Sequence, residues 1–264
     1  MRKYRYVKLD PTGNITCLVL DPADPADEQT LTRELLKECE QVAYLGAPVH
    51  PGAVASVRLM GGEFCGNAAM AAAAWLVREQ LPAGREISLL LDISGTGEPV
   101  LCTVRKSRQD YEGTVSLPPA TEIREENRFG VPLTLVRMEG IVHLVYEGEA
   151  LNRTAAEELL TRIAAEMPDR AAGLLQWDRA AGFLRPLVRV RGSNSMVWEN
   201  GCGSGSAAIG ALETLRAGGR TLTTPVEQPG GVIRVTAETD GRTVESVRIT
   251  GQVRLGTESV IELP

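Results

Sequence analysis

Apolar residues along this chain recur mainly in short runs of the kind that form β-strands. In the first half these runs include RYVKLD, ITCLVLD, EISLLLDI and PVLCTV. In the second half they include PLTLVRM, GIVHLVYEG, AGLLQWD, RPLVRVRG, VIRVTAE and SVIELP. Most are rich in branched residues and are bounded by Gly, Pro, Asn or Asp, as strands are. Many short strands with few helices predict antiparallel or mixed sheets.

Two segments of the first half have a helical pattern. Residues 30–45 place Leu31, Leu35, Cys39 and Val42 near one face, so we predict a helix there. Residues 65–81, CGNAAMAAAAWLVREQL, are rich in alanine and stop before a proline, which predicts a second helix. The stretch DPADPAD at residues 21–27 is a loop by its composition.

The second half repeats this order of elements. Residues 154–167 predict a helix that opens at Thr154, with Glu157 at capping-box spacing. Residues 202–219 predict another helix, which ends in glycines. In both halves, therefore, strands and a helix are followed by a second helix that begins at a Cys-Gly.

The segment at residues 118–130, PPATEIREENRFG, is charged and bracketed by Pro and Gly, and we interpret it as a linker. We therefore expect an N-terminal domain at residues 1–119, completed by a C-terminal strand at 253–264, and a second domain at 120–252. The expected fold class is α/β (α+β), with each sheet wrapped around a helix.

Composition and charge exclude several classes of protein. The chain has 264 residues, of which 43% are hydrophobic and 23% charged, and its formal net charge is −6. Without a basic face we expect no nucleic-acid partner. No apolar run reaches the ~20 residues of a membrane span, and the N-terminus lacks the apolar core of a signal peptide. We expect a cytoplasmic protein with no membrane partner.

The five cysteines are odd in number and widely spaced, which is not typical of a disulfide framework, and we expect reduced thiols. The chain has no CxxC pair and only two histidines, His50 and His143, so we predict no metal site.

Two of the cysteines stand in matched surroundings, one in each half. Cys65 is followed by Gly66 and Asn67, and Cys202 by Gly203 and Ser204. A helix N-terminus presents unpaired N–H groups and about half a positive charge, which favours a thiolate and can hold a carboxylate. We expect this position to lower the thiol pKa.

Two such turns facing one substrate would suit an amino-acid racemase. One thiolate removes the α-proton from one face, the other thiol donates a proton to the opposite face, and the N–H groups stabilise the charged carboxylate. The alternatives are that Cys65 and Cys202 are small buried residues, or that they form a disulfide.

The motifs TGN at 12–14, GEFCGNA at 62–68, CGSG at 202–205 and ITG at 249–251 resemble those of the diaminopimelate epimerase family and, more loosely, of proline racemases. The resemblance implies two pseudo-symmetric domains, each a barrel-like sheet around a central helix, with a catalytic cleft between them. It implies no cofactor, and Cys65 and Cys202 as the proton-transfer pair.

The same resemblance assigns substrate contacts. It implies that Asn14 lines the substrate site. It also implies that the α-carboxylate binds at the two helix starts, formed by Gly66, Asn67, Gly203 and Ser204.

Departures from the family pattern argue against diaminopimelate as the substrate. The Glu-Arg pair that the diaminopimelate enzymes carry nine and eight residues before the second cysteine is Ser193 and Asn194 here, and these cannot replace a bidentate guanidinium. The pattern around Trp198 and Glu199 is most similar to the histidine racemases of staphylopine-type opine metallophore synthesis. Glu199 is a candidate ligand for the substrate's amino group or imidazole.

Three alternatives stay open from the sequence. The chain is a diaminopimelate epimerase or a racemase of another amino acid, an isomerase of the phenazine-biosynthesis type, or a non-catalytic amino-acid-binding module. In each case the partner is a small molecule. The oligomeric state is also open, with a homodimer as the candidate.

Overall fold

The structure is a computed structural model that describes residues 2–169, 171–192 and 195–263. Its contacts divide the chain into two compact units. The first comprises Met1–Val115 with Thr250–Pro264, and the second comprises Ser116–Ile249. The first unit is therefore built from both ends of the chain. The domain limits expected from the sequence, at residues 119 and 252, stay a prediction.

Four helices and sixteen strands are assigned within the described residues. The helices are α1 (Pro25–Leu35), α2 (Gly66–Val77), α3 (Arg153–Glu166) and α4 (Gly203–Ala217). The strands are β1 (Arg2–Pro11), β2 (Thr16–Val19), β3 (Gln41–Gly46), β4 (Ala53–Leu59), β5 (Glu86–Ile93), β6 (Val100–Lys106), β7 (Tyr111–Leu117), β8 (Glu122–Arg128), β9 (Val131–Met138), β10 (Ile141–Tyr146), β11 (Ala171–Asp178), β12 (Phe183–Val190), β13 (Ser195–Trp198), β14 (Thr221–Gln228), β15 (Gly231–Thr239) and β16 (Val244–Leu263).

In the first unit the strands close into a barrel-like sheet. Strands β1 to β7 pair in chain order, β16 follows β7, and β16 pairs back with β1. Two of the pairs are parallel, β2 with β3 and β4 with β5. Parallel neighbours need a long connection, and these two connections contain α1 and α2. Among the described residues of this unit, closure leaves no free strand edge to attract another chain.

Helix α2 is the interior helix of the first unit. Every residue of α2 except Leu76 is buried, and the helix contacts β1, β2, β4, β5 and β6. Its alanines allow the strands to come close. Met70 is larger than the alanines, and the strand that packs against it, β7, has glycine at position 113. A Cβ on Gly113 would lie 2.7 Å from the Met70 Cβ.

The second unit has the same plan. Its strand order is β16-β15-β14-β12-β11-β10-β9-β8, with β13 paired to β12. The parallel pair β10–β11 is connected through α3, and the parallel pair β12–β14 through β13 and α4. Helix α4 is the interior helix, in contact with β9, β10, β11, β14 and β15. The predicted fold class, with a sheet around a central helix in each half, is confirmed.

The helix predicted at residues 30–45 was wrong at both ends. Asp24 caps α1 by accepting a hydrogen bond from the Ala26 N–H, Pro25 occupies the first turn, and the helix stops at Leu35. The stretch that was read as a loop therefore contains the start of the helix. Residues 41–46 form β3, which is buried at its first four positions, as strands in parallel pairs are.

Two further expectations were wrong. The supposed linker contains β8, which pairs with β9. The charged side chains of β8 form ion pairs along the strand, since Arg124 pairs with both Glu122 and Glu126. Helix α3 is capped by Asn152, whose side chain accepts from the Ala155 N–H, and not by Thr154. None of the helices in the described residues is long and apolar enough to span a membrane.

Candidate active site

Cys65 caps the interior helix of the first unit. Its backbone is extended (φ −140°, ψ 109°), and its Sγ accepts a hydrogen bond from the Ala68 N–H at 3.5 Å. The preceding turn is fixed by close backbone contact, because a side chain on Gly95 would overlap the backbone of Glu63 and Phe64. The half-buried thiol therefore lies at the N-terminus of α2, as the sequence predicted.

Cys202 holds the matching position in the second unit. It caps α4 with an extended backbone (φ −110°, ψ 108°), and its Sγ accepts from the Gly205 N–H at 3.3 Å. It is only 3% exposed. Glycine at 205 avoids two close contacts, because a Cβ there would lie 2.9 Å from the Leu175 Cδ2 and 3.0 Å from the Cys202 Sγ. Sulfur is a weak acceptor, so two cysteine caps where Ser or Asp is usual indicate a need for the thiol itself.

A buried amide holds the Cys202 backbone. Gln228 Oε1 accepts from the Cys202 N–H at 2.7 Å, and Gln228 Nε2 donates to Ser206 Oγ at 2.8 Å. Ser206 Oγ in turn donates to the Cys202 carbonyl at 2.7 Å. Gln228 and Ser206 were not predicted, since nothing in the sequence links a glutamine at the end of β14 to the cysteine.

A buried histidine lies beside the Cys202 thiol. The His143 Nε2 is 3.0 Å from the Ser204 Oγ, which is itself 3.7 Å from the Cys202 Sγ. Burial lowers the pKa of His143 to about 3, so the imidazole is neutral near pH 7. A side chain on Gly173 would collide with its Nδ1. The ring therefore serves to orient the Ser204 hydroxyl.

The pKa of the Cys202 thiol is raised well above its ordinary value, chiefly by burial and then by the neighbouring Glu199 carboxylate. The expectation that a helix N-terminus would lower this pKa was wrong. The Gly205 N–H does act in the lowering direction, but desolvation of a thiolate outweighs it. Cys202 is therefore a protonated thiol at neutral pH.

The side chains of Glu199 and Trp198 lie in different surroundings. Glu199 influences Cys202, and its N–H donates to the Pro186 carbonyl at 3.0 Å. The Trp198 Nε1 donates to Glu157 on α3 at 2.9 Å, and its ring packs against the core beside that helix. The structure thus places Glu199, and not Trp198, beside the thiol.

In the first unit, Asn14 is buried within a polar group. Its Nδ2 donates to Glu40 Oε2 at 2.9 Å, and its Oδ1 accepts from Gln41 Nε2 at 2.5 Å. Asn67 is 1% exposed and lies with Gly66 in the first turn of α2. The structure brings Gly66 and Asn67 next to Cys65, and Gly203 and Ser204 next to Cys202.

Glu63 contributes a further carboxyl, which was not among the predicted site residues. It precedes Cys65 by two residues, and burial raises the pKa of its carboxyl. Its Oε2 is buried without a hydrogen-bond partner in the described residues.

Each helix start can therefore bind the carboxylate of a substrate and present a thiol beside it. Within the described residues, no group of three or more His, Cys, Asp or Glu is arranged to hold a metal ion. Ser193 and Asn194, which argued against diaminopimelate, lie outside the described residues.

Comparison with known proteins places the chain in a family. The family model described as the histidine racemase CntK N-terminal domain matches residues 3–261. The chain belongs to this family. A histidine racemase of Staphylococcus aureus (strain Mu50) is 28% identical over 262 residues, which cover 94% of this chain and 93% of the relative.

More distant similarity extends beyond the histidine racemase family. A diaminopimelate epimerase of Xanthomonas axonopodis pv. citri is 26% identical, and the match covers 88% of each chain. The crystal structure of a probable proline racemase from Agrobacterium radiobacter K84 superposes with a TM-score of 0.74 at 15% identity, over 99% of this chain and 93% of that one. The epimerase-like fold expected from the motifs is therefore confirmed.

Proposed function

We propose that this protein is a histidine racemase that needs no pyridoxal phosphate and uses Cys65 and Cys202 as its acid and base. The observation that carries the proposal is the pair of cysteine caps. Each begins the interior helix of its own unit, in the same backbone conformation and with its sulfur on a helical N–H. The chemistry requires that both sulfurs reach the α-carbon of one substrate.

The substrate's α-carboxylate would bind at the helix starts formed by Gly66, Asn67, Gly203 and Ser204, where N–H donors are preorganised for negative charge. A thiolate on one side breaks the α-C–H bond and becomes a thiol. The electron pair spreads into the carboxylate, and the opposite thiol gives its proton to the α-carbon and becomes a thiolate. The two sulfurs thus exchange protonation states in each turnover, and no oxidant or reductant is needed.

The protonation states at rest follow from the surroundings of Cys202. Its raised pKa keeps it as the thiol, and therefore as the proton donor in the first turnover. Cys65 would then be the first proton acceptor. In the reverse direction Cys202 starts as the thiolate that the first turnover leaves and accepts the α-proton, a step that the nearby charge of Glu199 favours.

Histidine is the substrate that best fits the family and the residues before Cys202. The Staphylococcus aureus relative is named a histidine racemase, and the match spans nearly the whole of both chains. Ser193 and Asn194 supply no guanidinium for a second carboxylate, which disfavours diaminopimelate. Asn14 and Glu199 are the side chains that we assign to the rest of the substrate, with Glu199 facing its ammonium or imidazole.

A racemisation assay over a panel of amino acids tests the substrate directly. L-histidine, LL-diaminopimelate, L-proline and several other L-amino acids are incubated with the protein and resolved by chiral chromatography. We expect D-histidine alone to form at a high rate. Formation of meso-diaminopimelate without D-histidine would make the protein a diaminopimelate epimerase, an alternative that the Xanthomonas relative keeps open.

Deuterium uptake from heavy water separates an enzyme from a binding module. A racemase exchanges the α-proton of histidine for solvent deuterium, whereas a protein that only binds histidine leaves it in place. The two-thiol chemistry also separates the proposal from an isomerase of the phenazine type, which uses carboxylates. We place the reaction in the cytoplasm, where D-histidine would enter the synthesis of an opine-type metallophore. Opine-synthase and nicotianamine-synthase-like genes beside this one would support that role.

A further inference from the structure

The second unit contains a cavity that lies away from Cys202, at the carboxyl ends of the parallel strands β10 and β11. Its volume is about 480 Å³, within the range of small-molecule sites. Cys202 caps the start of α4, whereas Arg216, in the last turn of that helix, pairs with Glu147 at the cavity. From residue 202 to residue 216 the helix rises by about 20 Å, so the cavity is separate from the thiol.

Three side chains form a row along the floor of this cavity. Tyr146 is opposite Gln176 in the β10–β11 pair, and Gln176 is opposite Arg185 in the β11–β12 pair. Residues directly opposite one another on paired strands project from the same face. The row therefore brings an amide and a guanidinium together beside a phenol ring.

The Tyr146 hydroxyl donates to the Glu149 carbonyl at 2.9 Å, but the other two side chains of this row have donors without a protein partner in the described residues. Gln176 is 6% exposed, and its Oε1 accepts from the Leu151 N–H at 2.7 Å, but its Nε2 has no partner. Arg185 is exposed and forms no ion pair in the described part of the chain, and its guanidinium lies 5.9 Å from the Phe183 ring. The Nε1 of the next residue, Trp177, is also buried without a partner in the described residues, although its side chain projects from the opposite face of the strand. The buried, unpartnered Gln176 Nε2, with the uncompensated charge of Arg185 beside it, calls for a ligand that brings acceptors.

An arginine at the corresponding position of the first unit has a carboxylate partner. There, Arg58 is opposite Tyr44 in the β3–β4 pair, stacks on its ring at 4.8 Å and pairs with Glu28. Glu28 lies four residues after the α1 cap at Asp24. The residue four positions after the α3 cap at Asn152 is Ala156, which has no carboxylate to offer Arg185.

We propose that the cavity is a second ligand site, which takes a small molecule bearing a carboxylate. That carboxylate occupies the place of the Glu28 side chain and accepts from the Gln176 Nε2 and the Arg185 guanidinium. A planar group with two oxygens matches two neighbouring donors. The acidic rim, which includes Glu149 and Asp178, disfavours a phosphate, whose charge of up to −2 lies on one group, more than a carboxylate, which carries a single charge.

The test uses the full-length protein labelled with ¹⁵N. The indole N–H of Trp177 is one of only three in the chain, and the Trp177→Phe variant assigns its signal. Succinate and, separately, inorganic phosphate are titrated at constant ionic strength. We expect a saturable shift of the Trp177 indole and Gln176 amide signals with succinate, and weaker binding of phosphate.

Two variants remove the site in different ways. Arg185→Gln removes the cation, whereas Gln176→Glu keeps the shape, removes the donor and supplies an internal carboxylate for Arg185. We expect both to weaken succinate binding at least tenfold. Arg105→Gln, which changes an exposed arginine of the first unit, should bind as the unmodified protein does. If circular dichroism shows that Arg185→Gln does not fold, the succinate affinity of Gln176→Glu alone tests the proposal.

The absence of a saturable shift, phosphate binding as tight as succinate binding, or unchanged succinate affinity in the variants would overturn the proposal. The result is independent of the proposed racemase activity, since the readout is binding at residues that take no part in proton transfer.

Discussion

Replacing the Cys202 sulfur by oxygen tests the central chemistry with little disturbance of the fold. Serine is itself a good helix cap, and the Gly205 N–H that the thiol accepts at 3.3 Å is available to a hydroxyl. The Ser204 Oγ lies close enough to bond with it after a small shift. We therefore expect the free energy of unfolding of Cys202→Ser to lie within about 1 kcal/mol of that of the unmodified protein.

The effect on racemisation should be far larger than the effect on stability. A hydroxyl is a much weaker acid and base than a thiol, and a positioned acid or base contributes typically 10²–10⁴-fold to a rate. We expect Cys202→Ser and Cys65→Ser each to lose at least that factor in kcat. Because each variant keeps one thiol, α-proton exchange from the enantiomer that faces the remaining thiol should persist.

The assay follows both enantiomers separately. D- and L-histidine are incubated with each variant in heavy water, and chiral chromatography with mass spectrometry reports inversion and deuterium uptake. Cys102→Ser is the matched control, because Cys102 is buried in β6 and is not a candidate acid or base.

Near-normal racemisation in either variant would refute the two-thiol scheme. So would a loss of rate that parallels a loss of folded protein, as measured by circular dichroism and urea unfolding. If both variants lost exchange from both enantiomers, the sulfurs would not be acting one on each face.

Three further outcomes follow from the surroundings of Cys202. Glu199→Gln removes the charge that helps to raise the Cys202 pKa, so alkylation of Cys202 by iodoacetamide, read by mass spectrometry, should begin at lower pH than in the unmodified protein. Gly205→Ala places a Cβ 3.0 Å from the Cys202 Sγ and should cost about 1–3 kcal/mol in urea unfolding and at least tenfold in kcat; an unchanged kcat would contradict this geometry. His143 is held neutral with a pKa of about 3, below its ordinary value near 6.5, so the unfolded chain binds the extra proton and stability falls as pH drops from 6.5 towards 3. Between pH 7 and pH 5 the free energy of unfolding should fall by about 2 kcal/mol more in the unmodified protein than in His143→Gln, and equal slopes would contradict the assignment.

The elements that the sequence predicted well are those whose local pattern and tertiary role agree. The run EISLLLDI corresponds to β5 in full, and the alanine-rich segment after Cys65 is the interior helix α2. In α2 a high helix propensity coincides with a need for small side chains inside a barrel. Agreement between the local sequence preference and the tertiary packing makes a prediction reliable.

The failures have identifiable physical causes. Residues 41–44 continue the apolar spacing of α1, yet pairing with β2 on one side and β4 on the other makes them a strand. The Asp24-Pro25 cap was hidden in a stretch whose composition indicates a loop, although Asp before Pro is also a typical helix start. Charged residues 122–128 form a strand because exposed edge positions tolerate charge.

The candidate site was predictable only as far as its residues are close in sequence. Cys65 and Cys202, with the small residues that follow them, were visible because a helix start is a local feature. Gln228 and His143 reach Cys202 or Ser204 only through the fold, from 26 and 61 residues away in the chain. The direction of the Cys202 pKa shift was also wrong, because burial cannot be read from a helix start alone.

The two units share a plan but do not surround their cysteines alike, and this asymmetry has a chemical reason. A racemase must begin each turnover with one sulfur protonated and the other not, so two identical sites would compete for a single proton. Cys202 is almost fully buried, lies near Glu199, and has its backbone held by Gln228, whereas Cys65 is half-buried. Burial and a nearby negative charge both favour the neutral thiol, which assigns the resting proton to Cys202. In the proposed mechanism the repeated topology therefore supplies two equivalent helix starts, and the residues that differ between the units determine which one holds the proton.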